Sequence, residues 1–420
     1  MSNHAGRQTR SPGMPPGIDP DTLAGRIAVE LHVADGAVTQ VDVQSSRPQL
    51  AARLLRGQPA DLAAQVVPRL YSLCAGAHAV AAQRARQGAL GIEADASQVA
   101  LWTRRLEVET GRETLWRALI DWPKALGETP DPAALAALRR AQIASGSNDD
   151  LALLQQIVER HVLGTQAVGW LAQEPTAALR AWMASAVTPS ARFLAMHGRE
   201  AAWPTDRGQA DGRSVAAGDH MMRGATDTSG IVALLPSLAD ERVAASVGAA
   251  LRADPAFAQW PLWQGAPAET GALARMDSDP RIAALRAVEG VSPRLRWIAR
   301  LIELARIAAG MASALPRHGA LALPDHAGQR CGLGWAETAR GVLVHVVSID
   351  SNSADARVVD YRVLAPTEWN FHPRGVLAAT LTGQPAGAPE VLRERAQQLI
   401  DALDPCVACA LHVREEAAIA

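Results

Sequence analysis

The residues best suited to chemistry in this 420-residue chain are four cysteines, three of them in two compact clusters at opposite ends. One cluster reads Cys74-Ala-Gly-Ala-His78. The other reads Cys406-Val-Ala-Cys409-Ala-Leu-His412 and is introduced by Asp404-Pro405. A Cys-x-x-Cys pair lets two sulfurs approach one centre from a single turn, and thiolate is a soft donor that suits zinc, iron or nickel. A c-type haem site would need His directly after the second Cys, where Ala410 stands. A thioredoxin-like pair would open a helix after a strand, whereas this pair follows a helical stretch near the end of the chain. Spacing alone leaves metal binding, inert burial and redox chemistry open. If a metal binds, zinc held by Cys74, Cys406, Cys409 and one His is the default. Cys331 stands apart and reads as a small buried hydrophobe.

Composition narrows the classes. Lys plus Arg is 41 and Asp plus Glu is 43, a net charge of −2, which excludes recognition of nucleic acid through a basic face. Hydrophobic residues make up 48%, enough for an ordinary core, and four cysteines are too few for a disulfide framework. The length admits two or three structural units. Residues 1–20 lack an apolar signal-peptide core and, with their Pro and Gly, read as a flexible leader. The most apolar long stretch, 292–315, is interrupted by Arg294, Arg296, Arg300, Glu303 and Arg306, so no transmembrane helix is expected and the setting reads as cytoplasmic.

The elements that must position the cysteines follow from hydrophobic periodicity. Ile27, Val29, Leu31 and Val33 alternate with more polar positions, Asp35-Gly36 reads as a tight turn, and extended character resumes to Val43, which predicts a hairpin over 26–43. Helical spacing runs through about 50–120 and 133–187, and residues 198–230 read as a long loop. Ser292-Pro293 is a helix start. Strand character returns at 340–348 and 357–364, with a polar loop between, and a final helix over about 388–403 ends at Asp404-Pro405 because the residue before proline is pushed out of the α region. The Ala- and Arg-rich middle reads as coding bias without functional content.

With these residues in view, the chain resembles nickel–iron hydrogenase large subunits. Asp404 to His412 resembles their C-terminal Asp-Pro-Cys-x-x-Cys-x-x-His signature, and Arg69 to His78 resembles Arg-x-Cys-Gly-x-Cys-x-x-x-His. Gly25 to Val43 resembles their N-terminal strand pair. Glu337-Thr338-Ala339-Arg340-Gly341, with His345 after it, resembles Glu-Ala-Pro-Arg-Gly. Pro366-Thr367-Glu368-Trp369-Asn370 resembles Pro-Thr-Thr-Trp-Asn. These ordered blocks cover about 22–86 and 330–413. The resemblance implies an α+β fold, predominantly α-helical and hydrogenase large-subunit-like, with small β-hairpins near the N-terminus and around 340–364. Residues 21–420 would form one domain: hairpin 26–43, helical middle 50–320, and β and metal-ligand segment 330–413.

The departures carry as much information as the matches. In that family four thiolates hold a bimetallic centre, two terminal on nickel and two bridging nickel to iron. Here the first N-terminal ligand position is Tyr71, whose hard phenol stays protonated near neutrality. Cys74 and Cys409 match the bridging positions and Cys406 a terminal nickel ligand. The family's proton-transfer Glu falls at Ala24, and no acidic residue occurs between Arg47 and Arg56 to support the family's magnesium site. What is kept is the iron half: Arg340 and Thr367 match the residues that donate to the iron's cyanide ligands, which need partners in an apolar pocket. His78, Glu337 and His412 are placed by the same comparison in the surroundings of the site.

This pattern is similar to the HupK/HoxV-type hydrogenase maturation proteins, non-catalytic relatives of the large subunit. The resemblance implies a scaffold on which the iron–carbonyl–cyanide unit is held transiently before transfer to the apo hydrogenase large subunit. It also implies a small maturation chaperone as donor of that unit, with nickel not expected. An active large subunit, which Tyr71 argues against, and a zinc-stabilised interaction protein are the alternatives. The tail after His412 is expected to stay, since a full nickel site is lacking.

Overall fold

Asp35 and Gly36 both adopt positive φ (52° and 74°), the geometry of a two-residue hairpin turn, and they join β1 (Arg26–Ala34) to β2 (Ala37–Ser45). The computed structural model describes residues 25–140, 146–198, 232–311, 315–350 and 355–415. The leader at 1–20, Ala24, nearly all of the 198–230 loop and the last residues of the tail lie outside them. Ile27, Val29, Leu31 and Val33 are buried, as their alternation predicts. The hairpin is not the whole sheet, however. The last strand, β9 (Ala408–Glu415), pairs in parallel with β1, so the sheet order is β2-β1-β9 and the two ends of the chain meet.

Two short strands, β3 (Ala233–Leu234) and β4 (Ala268–Glu269), pair in the middle of the chain. The larger sheet is antiparallel, in the order β5 (His318–His326), β6 (Gln329–Thr338), β7 (Gly341–Ile349), β8 (Val358–Leu364). The expected small hairpin around 340–364 is therefore half of a four-stranded sheet that begins at His318, inside the stretch read as helical. Every residue of β7 is buried, because both sheet faces are covered. Leu343 and Val347 face a cluster with Ala77, Ala81 and Ala85, while Val342, Val344 and Val346 face a cluster with Val243, Val247 and Trp369.

Six helices position the site: α1 (Ala63–Leu70), α2 (Ala75–Leu90), α3 (Ala96–Trp116), α4 (Pro293–Ala308), α5 (Pro366–Asn370) and α6 (Pro389–Leu403). Ser292 caps α4 by accepting from the Leu295 N–H at 3.1 Å, with Pro293 in the first turn, as read from the sequence. Asp404 ends α6 in the left-handed region at φ 56°. The Ala/Gly-rich α2 lies close on the larger sheet. A Cβ added to Gly332 would strike the Ala85 carbonyl and the Ala89 N–H, and one added to Gly334 would strike the Ala81 carbonyl and the Ala85 N–H. The architecture is α+β and mainly helical. No described helix is long and apolar enough to cross a membrane.

Candidate functional site

Cys74 stands at the N-terminus of α2, where chain direction changes after Tyr71, and its side chain packs against the apolar cluster between α2 and the larger sheet. The helix start is organised by Glu109 of α3, which accepts from the Gly76 N–H at 2.7 Å and the Ala77 N–H at 3.0 Å. Burial pushes this carboxyl up to about 7 despite the two donors. The Cys74 thiol is pushed well above its usual range, first by burial and then by Cys406 and Glu109, with Arg340 and Arg47 acting in the opposite sense.

Cys406 comes from the other end of the chain. Its Sγ lies 3.1 Å from the Thr367 hydroxyl, which α5 holds almost fully buried. The segment is anchored through Asp404. Its carboxylate accepts from Arg117 Nη2 at 2.6 Å and Arg300 Nη1 at 2.7 Å, and it lies 3.5 Å from Arg340 Nη2. Arg340 sits in the tight connection between β6 and β7, where the Thr338 hydroxyl accepts from the Arg340 N–H and donates to the Gly341 carbonyl. Its side chain donates from Nε to the Asp404 carbonyl at 3.1 Å and from Nη2 to Glu113 at 3.3 Å. Its Nη1, buried, has no hydrogen-bond partner.

Behind Cys74 runs a buried polar chain. The rings of Tyr71 and His78 stack at 4.2 Å, His78 Nδ1 lies 3.0 Å from His345 Nε2, and His345 Nδ1 lies 2.6 Å from the Tyr361 hydroxyl. His78 and His345 thus satisfy each other in the core. Burial lowers His78 well below its usual value and His345 to about 3. A histidine held neutral in the folded state titrates in the unfolded state near 6.5. The stability this pair contributes is therefore present above that pH and is lost as pH falls toward the folded value. Nitrogen-15 NMR of the imidazoles is expected to show both rings still neutral at pH 5. A protonated His345 at that pH would contradict the arrangement.

Three sequence-based placements change. Glu337 does not join the site: its carboxylate accepts from Arg275 Nη1 at 2.6 Å in a buried network with Glu303 and Arg317, and Arg340 takes Asp404 and Glu113 as its ion-pair partners. His412 is exposed on β9 and lies outside the site. Cys409, also on β9, packs instead into the apolar cluster with Leu411, Val413 and residues of α6, where burial and then Asp401 push its thiol up to about 11. The cause is common to both. The chain read as a turn becomes a strand from Ala408, beyond Cys406, so Cys409 and His412 follow the pleat to opposite faces. The structure brings Cys74 to Cys406, while Cys409 stands apart. Among the described residues, no three His, Cys, Asp or Glu side chains are gathered as a metal-ligand set. Cys331 is buried in β6, its Sγ 3.3 Å from the Ser348 hydroxyl, as expected for a packing residue.

Sequence reading missed Arg47, Glu109, Glu113 and Glu368. Only Glu368 left a signal, a carboxyl where the resembling motif has threonine. The others are brought in by tertiary packing.

Relatives match this chain nearly end to end. A hydrogenase expression/formation protein HoxV from Cupriavidus necator is 33% identical over 384 residues, covering 87% of this chain and 91% of that one. The chain belongs to the hydrogenase expression/formation protein family. A HupK member of that family from Rhizobium leguminosarum is 32% identical over 94% of this chain and 98% of its own length. The model of the nickel-dependent hydrogenase family matches residues 295–412 of this chain, which hold Arg340, Thr367, Cys406 and Cys409. An uptake hydrogenase large subunit from Bradyrhizobium diazoefficiens is 35% identical over 88 residues, 20% of this chain and 14% of that one. A solved nickel–iron–selenium hydrogenase from Desulfovibrio vulgaris Hildenborough superposes with a TM-score of 0.49 at 16% identity, over 89% of this chain and 94% of that one.

Proposed function

We propose that this formation protein is a non-catalytic scaffold that holds the iron–carbonyl–cyanide unit of a nickel–iron hydrogenase before its transfer to the apo large subunit. The observation that carries this reading is Arg340 Nη1. A buried guanidinium N–H with no protein partner, beside two thiols and near a buried hydroxyl, is suited to an anionic acceptor that is itself ligated by sulfur. A cyanide on iron is such an acceptor. Cys74 and Cys406 face the unit first, and Cys409 would join them as the third sulfur only if the start of β9 leaves its pairing with β1. Arg340 and the Thr367 hydroxyl donate to the cyanides. Cys74 and Cys409 are held as thiols by burial, so capture releases protons, and loading is expected to be favoured at higher pH. Tyr71 in place of a nickel-ligand cysteine supports a role without hydrogen turnover. The donor of the unit would be a small maturation chaperone, and the encounter would be cytoplasmic.

Infrared spectroscopy tests this reading. Protein purified from cells with the full maturation machinery is expected to show carbon monoxide and cyanide stretching bands and iron without nickel. Cys74→Ala is expected to abolish the bands, and Cys409→Ala to lower their intensity. Full bands in Cys409→Ala would remove that residue from the ligand set. No bands in the unaltered protein, or one equivalent of zinc in their place, would end the scaffold reading.

A further inference from the structure

Besides Arg340, a second guanidinium bears on Cys74. Arg47 follows β2, and its side chain is only 11% exposed. Its nearest carboxylate contact is Glu368 Oε1 at 3.7 Å, beyond hydrogen-bond distance, and its Nη1 has no hydrogen-bond partner. The Ser45 hydroxyl, 3.4 Å from the same oxygen, holds that carboxyl in place. Glu368 follows Thr367, whose hydroxyl lies 3.1 Å from Cys406 Sγ, so Arg47 stands on the Cys406 side of the site; burial works most strongly against its charge, and Cys406, then Glu368, Tyr71 and Cys74 favour it.

Arg275 and Arg296, also buried, behave differently. Arg275 grips Glu303 with bonds of 2.7 and 2.8 Å, and Arg296 grips Glu269 with bonds of 2.8 and 2.7 Å. Those are forked, fully satisfied pairs of the kind that hold a core together. Arg47 has an N–H to spare, and its nearest carboxylate stays 3.7 Å away beside the hydroxyl that touches Cys406. An arginine placed only to neutralise Glu368 would close on it as Arg275 closes on Glu303.

We propose that Arg47 selects the cargo of this site, its buried positive charge and free N–H favouring an anionic iron–cyanide unit at Cys406 and Cys74 while turning free nickel ion away. The proposal rests on the scaffold reading and deepens it. Two like charges a few ångströms apart in a buried site repel far more strongly than in water, so a divalent ion on the Cys406 sulfur pays for the guanidinium beside it. An anionic complex gains from the same group, through charge and through a charge-assisted hydrogen bond. Tyr71 reinforces the choice, since its buried phenol is pushed above its usual range and offers no anionic ligand to nickel. Losing a cysteine at Tyr71 removes a nickel ligand; Arg47 adds active discrimination.

The test uses the full-length, metal-free protein titrated with nickel ion against a chromophoric chelator, with thiolate-to-nickel charge-transfer absorption as the second readout. Arg47→Met is expected to bind nickel at least tenfold tighter than the unaltered protein and to show the charge-transfer band, while Arg47→Lys, which keeps the charge, stays near the unaltered value. Made beside the maturation machinery, Arg47→Met is expected to lose cyanide-band intensity severalfold. Unchanged nickel affinity and unchanged bands in a folded Arg47→Met overturn the proposal, as does tighter nickel binding by Arg47→Lys. If Arg47→Met does not fold, Arg47→Gln carries the same expectations. An unaltered protein without infrared bands defeats the scaffold reading instead, and the nickel titration still decides the role of Arg47.

Discussion

Asp404→Asn is expected to destabilise the protein by about 3–5 kcal/mol at neutral pH and to empty the candidate site of its infrared bands. Asp404 is almost fully buried and is the shared counter-ion of Arg117, Arg300 and Arg340. An amide of the same shape leaves Arg300 and Arg340, both under a tenth exposed, with too little negative charge around them. Asparagine tolerates the left-handed backbone that Asp404 adopts, so the loss would report charge and not strain. The site suffers because the same carboxylate fixes both Arg340 and the chain that presents Cys406. Thermal melts of the two proteins measure the effect, and acid supplies a control. The three guanidiniums hold the Asp404 carboxyl well below the usual range against the cost of burial. Its contribution is therefore fully present above the unfolded value near 3.9 and is lost as pH falls below it. The gap between the two proteins should be constant from pH 8 to 5 and narrow below pH 4. A gap unchanged at pH 3 would assign the effect to packing.

What the sequence disclosed and what it withheld divide by range. Asp35-Gly36, Ser292-Pro293 and Asp404-Pro405 were legible because each is a local conformational preference, and each does what its residue types require. Cys74, Cys406, Arg340 and Thr367 were legible as a group through resemblance, and the fold brings them together from four separate segments. The strand β9 was not legible. Ala408 to His412 carries no strong alternation, and it is extended because β1 offers an edge from the far end of the chain. That one misreading displaced both Cys409 and His412. The clamp on Asp404 was equally hidden, since Arg117 and Arg300 lie more than a hundred residues before it in helices whose periodicity says nothing of their partners.

The close approach of α2 to the larger sheet was hidden for a related reason, and it leads to the second large effect. Along α2, Ala81, Ala85 and Ala89 present little more than backbone to the sheet, and β6 answers with Gly332 and Gly334. The contact is backbone against backbone, so a methyl at Gly334 meets the Ala81 carbonyl and the Ala85 N–H, neither of which can swing aside as a side-chain end would. Gly334→Ala is expected to cost about 3 kcal/mol, read as a lowered melting temperature. The consequence for function is larger than that figure suggests. Cys74 rides on the start of α2, whereas Arg340 and Thr367 are set by the far end of β6 and by the chain after β8. Lifting the helix by the thickness of a methyl group moves the thiol relative to its two candidate donors, and His78 relative to its partner His345 on β7. A folded Gly334→Ala protein should therefore lose most of its infrared bands and its short His78–His345 hydrogen bond together. Gly328→Ala, in the open turn between β5 and β6 where an added Cβ meets nothing within 4 Å, serves as the comparison. It carries the strain of a positive φ of 76° without moving the helix. If Gly334→Ala kept full bands while Gly328→Ala lost them, the close contact of α2 and β6 would not be what aligns the two halves of the site.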